Sequence, residues 1–270
     1  MTARDPYTDR TLEALGLAEA PRDHPLAYPG AWPEKSGLLD GDRLLPLTDH
    51  TFPGRVPVLA VGSNACPAQL RHKMREYELS SPIPLVKARV TGLEVGVSAH
   101  VSAMGYVSAS PFRAPGHTRE LFLTWLDPAQ LAAVDASEGV TAPAGAYDRV
   151  SLPAADVRIE LESGATLDGA HLYVNRRGVL HDGTGTPLRH PGERPLLTQL
   201  LGRSPRLRDL FGATPEEFCA RARDDLRLCT AGTRLFAEEG WTTASGLEKY
   251  LPGQQTGSPG TGASLSPPLM

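Results

Sequence analysis

Alternation of apolar and polar positions between residues 55 and 176 predicts a domain built mainly from β-strands. The run VPVLAV, which starts at Val56, contains no polar position and is typical of a fully buried strand. LVKARVTGLEVGVS alternates over a longer span, but its apolar positions change parity at Gly92, which predicts a β-bulge or a break there. Five further segments have the composition of strands: YVSAS, ELFLTWL, AYDRVSL, VRIELES and ATLDGAHLYV.

Helical periodicity occurs in two places. DPAQLAAVDASEG predicts a short helix that Asp127 caps, with a proline at the first helical position and Gly139 at its end. From about residue 192 the apolar period is helical over three consecutive segments, in which Ser204 and Thr214 are N-cap candidates. Because strands outnumber these short helices in the central part, the pattern favours an α+β fold with a curled sheet over a doubly wound one.

The same patterns divide the chain into four parts. Residues 1–54 are rich in proline and predicted to be largely irregular, apart from one helix near TDRTLEALGL with Thr8 as its cap. Residues 55–180 form the predicted α+β domain, and residues 190–250 form a helical extension. Residues 252–270 are rich in Gly, Ser and Pro and are predicted to be a disordered tail.

Composition narrows the function classes. The net charge is -4, so no basic surface for nucleic acid is indicated, and RHKMR at 71–75 is interpreted as a solvated helix face. No apolar run is long enough for a membrane helix, and the first residues do not resemble a secretory signal. Cys66, Cys219 and Cys229 form no C-x-x-C pair, so neither a disulfide framework nor a zinc site is expected. These features predict a cytoplasmic protein.

The tripeptide Gly62-Ser63-Asn64 lies where the buried strand hands over to an amphipathic segment. Backbone amides at such a turn can bind a carboxylate or an oxyanion without a side-chain charge. Ordinary turn chemistry explains the same three residues, because Gly, Ser and Asn are common in turns. Cys66 follows closely and could be a nucleophile near a helix N-terminus, but no base for it can be identified.

Glu138 ends the predicted helix, where the helix dipole disfavours a carboxylate. A raised pKa would suit a general acid or base at this position. The alternative is a solvent-exposed glutamate before the terminal glycine.

Tyr147 and Arg149 are two apart in a predicted strand, so both can face one side and hold a substrate carboxylate. Alternatively they are a half-buried strand tyrosine and a charge at the rim. The spacing of His181 and His190 does not favour a metal pair, and His100 and His117 are assigned no role.

In their order along the chain, these segments resemble the γ-glutamylcyclotransferases and their relatives, over about residues 55–176. VPVLAVGSNA resembles the opening strand and the Gly-Ser-Asn loop of that family, and AMGYVSASPF resembles its next glycine-bearing segment. ELFLTWLDPAQLAAVDASEGV resembles the strand and helix that end in the family's Glu-Gly. AYDRVSL and ATLDGAHLYV resemble the tyrosine-bearing strand and the late strand that follow.

The resemblance implies an α+β fold with a mixed, barrel-like sheet and few short helices, and an activity that uses no metal and no cofactor. In the implied reaction, the α-amine of a γ-glutamyl group attacks its own γ-carbonyl, which forms 5-oxoproline and releases an amine. Glu138 matches the family's catalytic glutamate. The positions that match substrate binding are Val61, Gly62, Ser63, Asn64 and Tyr147.

Three features depart from the family pattern. Val61 replaces a tyrosine, Ala65 replaces a larger aliphatic residue, and the loop at 139–146 is longer. The leading hypothesis is a cyclotransferase with a small-molecule γ-glutamyl substrate. One form of it is a biosynthetic step that releases the amine of a γ-glutamylamine. The other hypothesis is a non-catalytic protein of the same fold that binds a small acidic metabolite or a protein partner. Neither nucleic acid nor a membrane is an expected partner, and the extensions could cover the pocket or form a homodimer interface.

Overall fold

A computed structural model describes residues 10–49 and 51–252. In this part of the chain, nine strands form one mixed sheet and two short strands form a second ladder. The strands are β1 (Gly37–Asp40), β2 (Arg43–Pro46), β3 (Val56–Ala60), β4 (Ile83–Val97), β5 (Ala109–Leu126), β6 (Tyr147–Pro153), β7 (Arg158–Leu161), β8 (Thr166–Leu167), β9 (Gly169–Asn175), β10 (Val179–Leu180) and β11 (Thr242–Thr243). The helices are α1 (Pro67–Glu76), α2 (Pro128–Ser137), α3 (Glu193–Arg203), α4 (Pro205–Phe211), α5 (Pro215–Asp224) and α6 (Leu226–Glu238).

The large sheet curls into an incomplete barrel. Its strand order is β8-β7-β4-β5-β3-β9-β6, with the β1/β2 hairpin also paired to β4. Among the strand pairs that the structure describes in this sheet, β3/β9 is parallel and the others are antiparallel. Inward-facing side chains from strands far apart in this order, such as Val90 of β4, Val150 of β6 and Ile159 of β7, share one buried cluster. The predicted α+β fold with a mixed, barrel-like sheet is therefore confirmed.

The long strands β4 and β5 form the frame of the barrel. The register of their pairing shifts between Thr91 and Gly92, which confirms the predicted bulge. Gly92 has a φ of +106°, and a Cβ there would lie 2.9 Å from the carbonyl oxygen of Asp156. The prediction of two separate strands in YVSAS and ELFLTWL was wrong, because β5 runs unbroken over 18 residues from Ala109. Pairing with β4 on both sides of the bulge explains why the polar middle of β5 does not interrupt the strand, although residues 115–117 have no partner in β4.

Three of the six helices in the described residues start at the expected capping side chain. Asp127 caps α2 in a reciprocal capping box, Ser204 caps α4, and Thr214 caps α5. The last helical segment is divided, because the side chain of Asp225 accepts from the N–H of Arg227 and starts α6 there.

The N-terminal part differs from its prediction. Residues 12–16 form a turn rather than a helix, with Leu12 fully buried, and Thr8 lies outside the described residues. The β1/β2 hairpin was also missed in a segment predicted to be irregular. The predicted tail at 252–270 lies outside the described residues except for Pro252, and the division of the chain into domains stays a prediction.

The C-terminal helices pack on the loop that joins β4 to β5. Val101 and Val107 of this loop share a buried cluster with Leu200 and Phe211. The N–H of Val107 donates to Oε1 of Glu193, which is only 1% exposed, at 2.8 Å. Among the residues that the structure describes, no helix is both long and apolar enough to cross a bilayer.

Glu193 predicts a pH dependence of stability. Burial raises the pKa of Glu193 well above its ordinary value. Above the ordinary carboxyl pKa of 4.5, the folded chain therefore keeps a proton that the unfolded chain releases. The free energy of unfolding falls as pH rises through this range. Glu193→Gln keeps an acceptor for Val107 and removes the titration. We expect the difference in melting temperature, variant minus wild type, to be larger at pH 8 than at pH 4.5.

The neighbouring His190 has the opposite dependence, because burial lowers its pKa to about 4, so that its contribution grows as pH rises toward 6.5. Nε2 of His190 lies 3.7 Å from Oε2 of Glu193, so the same comparison in a His190→Gln background separates the two titrations. An equal difference in melting temperature at both pH values would show that Glu193 does not titrate on unfolding.

Candidate functional site

The predicted site residues lie around one cavity of about 320 Å³ at the end of β3. Two elements converge there: the turn that follows β3 and the C-terminal end of α2. The sequence-predicted residues that line the cavity are Val61, Gly62, Ser63, Asn64, Glu138 and Tyr147.

The turn after β3 lines this cavity and contains backbone amides that the described part of the fold does not use. Residues 63–65 form one 3₁₀ turn before α1 begins at Pro67. The first hydrogen bonds of the turn are donated by the N–H groups of Ala65 and Cys66, so the N–H groups of Ser63 and Asn64 have no acceptor within it. These two amides are available to an anionic or carbonyl oxygen in the cavity.

Gly62 is required by a neighbour from the N-terminal part of the chain. A Cβ at this position would overlap the hydroxyl oxygen of Tyr28, and it would lie 3.3 Å from the Cβ of Ala109. The Tyr28 hydroxyl accepts a hydrogen bond from the N–H of Ala109 at 2.8 Å, which fixes the ring. Glycine at this position therefore allows a tyrosine hydroxyl to approach the backbone of the turn.

Glu138 is held through one of its two carboxylate oxygens. Its Oε1 accepts from Nζ of Lys73 at 2.8 Å and from Nδ2 of Asn64 at 3.0 Å. Lys73 also donates to Oδ1 of Asn64 at 2.8 Å, so the three side chains form a closed triangle. Within the described ranges, no side chain or backbone group donates to Oε2 of Glu138. The Glu138 side chain is 17% exposed, so it is not a free surface glutamate. Its ion pair with Lys73 offsets the unfavourable helix dipole.

Lys73 corrects one sequence interpretation. The basic run at 71–75 was interpreted as a solvated helix face, but Lys73 is only 6% exposed. A usable signal was present, because Lys73 follows Leu70 by three positions in α1 and so shares its buried face. An amphipathic helix normally places aliphatic residues at such positions, and a lysine there needs a partner.

Lys73→Met is expected to destabilise the protein by about 1–3 kcal/mol, because it leaves a largely buried carboxylate without its cation. Urea unfolding measures the change. The double variant Lys73→Met/Glu138→Gln should recover part of the loss, since it removes the unpaired charge. Equal stability of the single variant and the wild type would show that the ion pair adds nothing to folding.

Three buried tyrosines supply neutral hydroxyl groups to the cavity. Burial raises the pKa of Tyr28 and Tyr106, and the charge of Glu138 adds to the effect in Tyr106. Burial, with a contribution from Glu138, raises the pKa of Tyr147 to about 12. Tyr147 donates to the carbonyl of Ala109 at 3.1 Å, and the Tyr28 and Tyr106 rings stack with centroids 4.3 Å apart. All three hydroxyls stay protonated near neutral pH. The Tyr147 proton is used by Ala109, so the hydroxyls of Tyr28 and Tyr106 are the ones that can donate in the cavity.

Arg149 lies apart from this group, contrary to the pairing predicted with Tyr147. Its Nε donates to Oδ1 of Asp135 at 2.9 Å, and it does not line the cavity. Asp135 also accepts from the Tyr173 hydroxyl at 2.7 Å, so its charge is used within the fold. The tyrosine–arginine pair therefore does not form a joint carboxylate site.

His100 was assigned no role but forms part of the cavity wall. Its Nδ1 lies 3.0 Å from the Ser98 hydroxyl and 3.1 Å from Nδ2 of Asn175. Burial, helped by the charge of Arg177, lowers the pKa of His100 to about 4, so the ring is neutral near pH 7.

Cys66 is fully buried, and burial raises the pKa of its thiol, which disfavours a nucleophile. In residues 10–49 and 51–252, no three His, Cys, Asp or Glu side chains come together as a metal site would need.

Comparisons with known proteins give weak similarities only. No protein-family model and no curated protein matches the chain. A solved "Gamma-glutamyl cyclotransferase" is 16% identical over 44% of this chain and 66% of that one, with a TM-score of 0.35. An uncharacterized protein from Homo sapiens is 18% identical over 45% of this chain and 66% of that one, with a TM-score of 0.32.

A solution structure of a protein from Arabidopsis thaliana is 14% identical over 60% of this chain and 91% of that one, with a TM-score of 0.35. The chain thus spans 66% of the length of the first two proteins. Likenesses at this level concern parts of the fold and identify neither a family nor an activity.

Proposed function

We propose that this protein cyclises the γ-glutamyl group of a small molecule to 5-oxoproline and releases an amine. The observation that carries the proposal is the position of Glu138: a carboxylate with one fixed and one unoccupied oxygen, in the same cavity as the amides of Ser63 and Asn64. The order of the sequence motifs that resemble γ-glutamylcyclotransferases supports the same reaction.

The reaction needs one group to move a proton. Oε2 of Glu138 accepts a proton from the α-ammonium of the glutamyl group, and the freed amine attacks the γ-carbonyl carbon. The new C–N bond closes the five-membered ring. The original amide C–N bond then breaks, and the proton on Glu138 passes to the leaving nitrogen. The ring nitrogen gives up its second proton through Glu138 to the released amine, which leaves as an ammonium ion. No water is consumed, and Glu138 returns to its starting state.

Neutral donors stabilise the charge that develops on the γ-carbonyl oxygen. The amides of Ser63 and Asn64 hold the glutamyl group, and the Tyr28 hydroxyl lies against the same turn. Val61 contributes no hydroxyl, so Tyr28 provides one from the N-terminal part of the chain. Lys73 and Asn64 fix the carboxylate of Glu138, which reduces the freedom that the bound substrate would otherwise have to remove.

A second candidate is a binding protein without turnover. The observation that favours it is the ion pair itself, since Lys73 already neutralises the carboxylate that would have to act as a base. A small acidic metabolite could then bind to the amides of the turn without a reaction. A homodimer stays a prediction.

The test is incubation of the purified protein with γ-glutamyl amino acids, glutathione and γ-glutamyl amines, with 5-oxoproline quantified by mass spectrometry. Formation of 5-oxoproline together with one equivalent of free amine supports cyclisation. Binding of the same compounds by calorimetry, with no product from any of them, would instead establish the non-catalytic candidate.

A further inference from the structure

A second cavity of about 580 Å³ lies beside the first one. The two cavities share three lining residues: His100, Ala103 and Ala146. The far wall of the second cavity is formed by α6, where Leu226 is 64% exposed, so the space opens to solvent. We call this second cavity the side groove. Its position suits the part of a substrate that extends beyond the glutamyl group.

The charged side chains of the side groove are both arginines. Nε of Arg234 lies 3.1 Å from Glu238 one turn further along α6, so its charge is matched. The Arg177 guanidinium has no hydrogen-bond acceptor and no ion pair in the described part of the chain. The remaining lining is neutral and mostly small, with five alanines among fourteen residues. The groove therefore offers one exposed, unmatched positive charge beside a neutral lining of small apolar residues and threonines.

Arg177 differs in this respect from the residue before it. The guanidinium of Arg176 donates to the carbonyls of Val140 and Ala142 at 2.9 Å and to Asp148 at 2.8 Å, so it serves the fold. The side chain of Arg177 has no such structural use.

The backbone of Arg177 is nevertheless fixed close to the site. Its N–H donates to Oδ1 of Asn175 at 2.9 Å, and Nδ2 of Asn175 lies 3.1 Å from the His100 ring that separates the two cavities. Asn175 is only 2% exposed.

We propose that the side groove holds the leaving amine of the substrate and that Arg177 binds a carboxylate on that amine. This inference rests on the proposed cyclisation. Such a groove favours γ-glutamyl amino acids and short γ-glutamyl peptides over γ-glutamyl amines that have no carboxylate. A guanidinium favours a carboxylate because it can donate two parallel hydrogen bonds. The neutral His100 adds no competing charge between the groove and Glu138.

The experiment compares two ligands that differ only in the carboxylate, γ-glutamyl-alanine and γ-glutamyl-ethylamide. Calorimetry measures their dissociation constants for Glu138→Gln, which does not turn them over, and for Glu138→Gln/Arg177→Gln. We expect the first protein to bind γ-glutamyl-alanine about 10-fold more tightly, the size of one partly exposed charge-assisted hydrogen bond. Arg177→Gln should abolish this preference and leave the affinity for the ethylamide unchanged.

Arg158→Gln is the matched control, because Arg158 is exposed on β7 and lines neither cavity. It should leave both affinities unchanged. A preference for the acid that survives Arg177→Gln, an equal loss for both ligands, or no binding of either ligand would overturn the assignment. If the wild type forms no 5-oxoproline but the preference depends on Arg177, the cyclisation fails, and what stands is that Arg177 binds the carboxylate of a γ-glutamyl ligand.

Discussion

Glu138→Gln is expected to lower kcat/KM for 5-oxoproline formation by about 10²–10⁴-fold, the usual contribution of a positioned proton-transfer group. Glutamine keeps the size of the side chain and an oxygen that can accept from Lys73 and Asn64, but it cannot take a proton from the substrate. The triangle of side chains should therefore persist while the reaction stops. The measurement is the steady-state rate with the best substrate of the panel, together with the melting temperature.

Glu120→Gln is the control for this variant. Glu120 is an exposed carboxylate of β5 that pairs with Lys87 and lines neither cavity, so its removal should leave kcat/KM unchanged. If Glu138→Gln folds normally and retains wild-type activity, Glu138 is not the base and the proposed proton path is wrong.

Gly62→Ala is expected to destabilise the protein by about 1–3 kcal/mol, in the range found for overpacked interiors. The added methyl group would have to displace the Tyr28 hydroxyl or the turn after β3. Either movement shifts the amides of Ser63 and Asn64, so ligand affinity should fall as well. Urea unfolding and calorimetry with γ-glutamyl-alanine measure the two effects.

Tyr28→Phe tests whether overlap with the Tyr28 hydroxyl is what makes Gly62→Ala destabilising. It removes the oxygen, and the nearest remaining atom of the ring would lie 3.4 Å from the new methyl group. Gly62→Ala should therefore cost less stability in the Tyr28→Phe background than in the wild type, although Tyr28→Phe itself loses a hydrogen bond from Ala109. If the stability changes of the two single variants add up to that of the double variant, the Tyr28 hydroxyl is not what requires glycine at position 62.

The sequence predicted the local parts of this structure well. Capping by Asp127, Ser204 and Thr214 depends on side chains that act within one helical turn, so it can be read from adjacent residues. The bulge at Gly92 also follows from a local change of parity. The turn at 62–64 and Glu138 were identified through the order of motifs, and the structure places both at one cavity.

Contacts between distant segments could not be predicted in this way. Tyr28 reaches Ala109 across 81 positions, from a segment whose prolines indicated only irregular structure. Lys73 was misinterpreted because a charge on an amphipathic helix is usually solvated, and its partner lies 65 positions away. Hydrophobic patterning identifies a buried face, but it does not show which charge on another element will meet it.

The β4–β5 loop has a consequence for how the protein folds. The N–H of Ala109 is satisfied by Tyr28 from one side of the chain, and the N–H of Val107 by Glu193, 86 positions away on the other. Such long loop closures are entropically costly and depend on many earlier contacts. The wall of the cavity is therefore completed only after both flanking parts of the chain have docked on the barrel. In residues 55–180 alone, these two amides would lack their side-chain acceptors and would be open to solvent exchange.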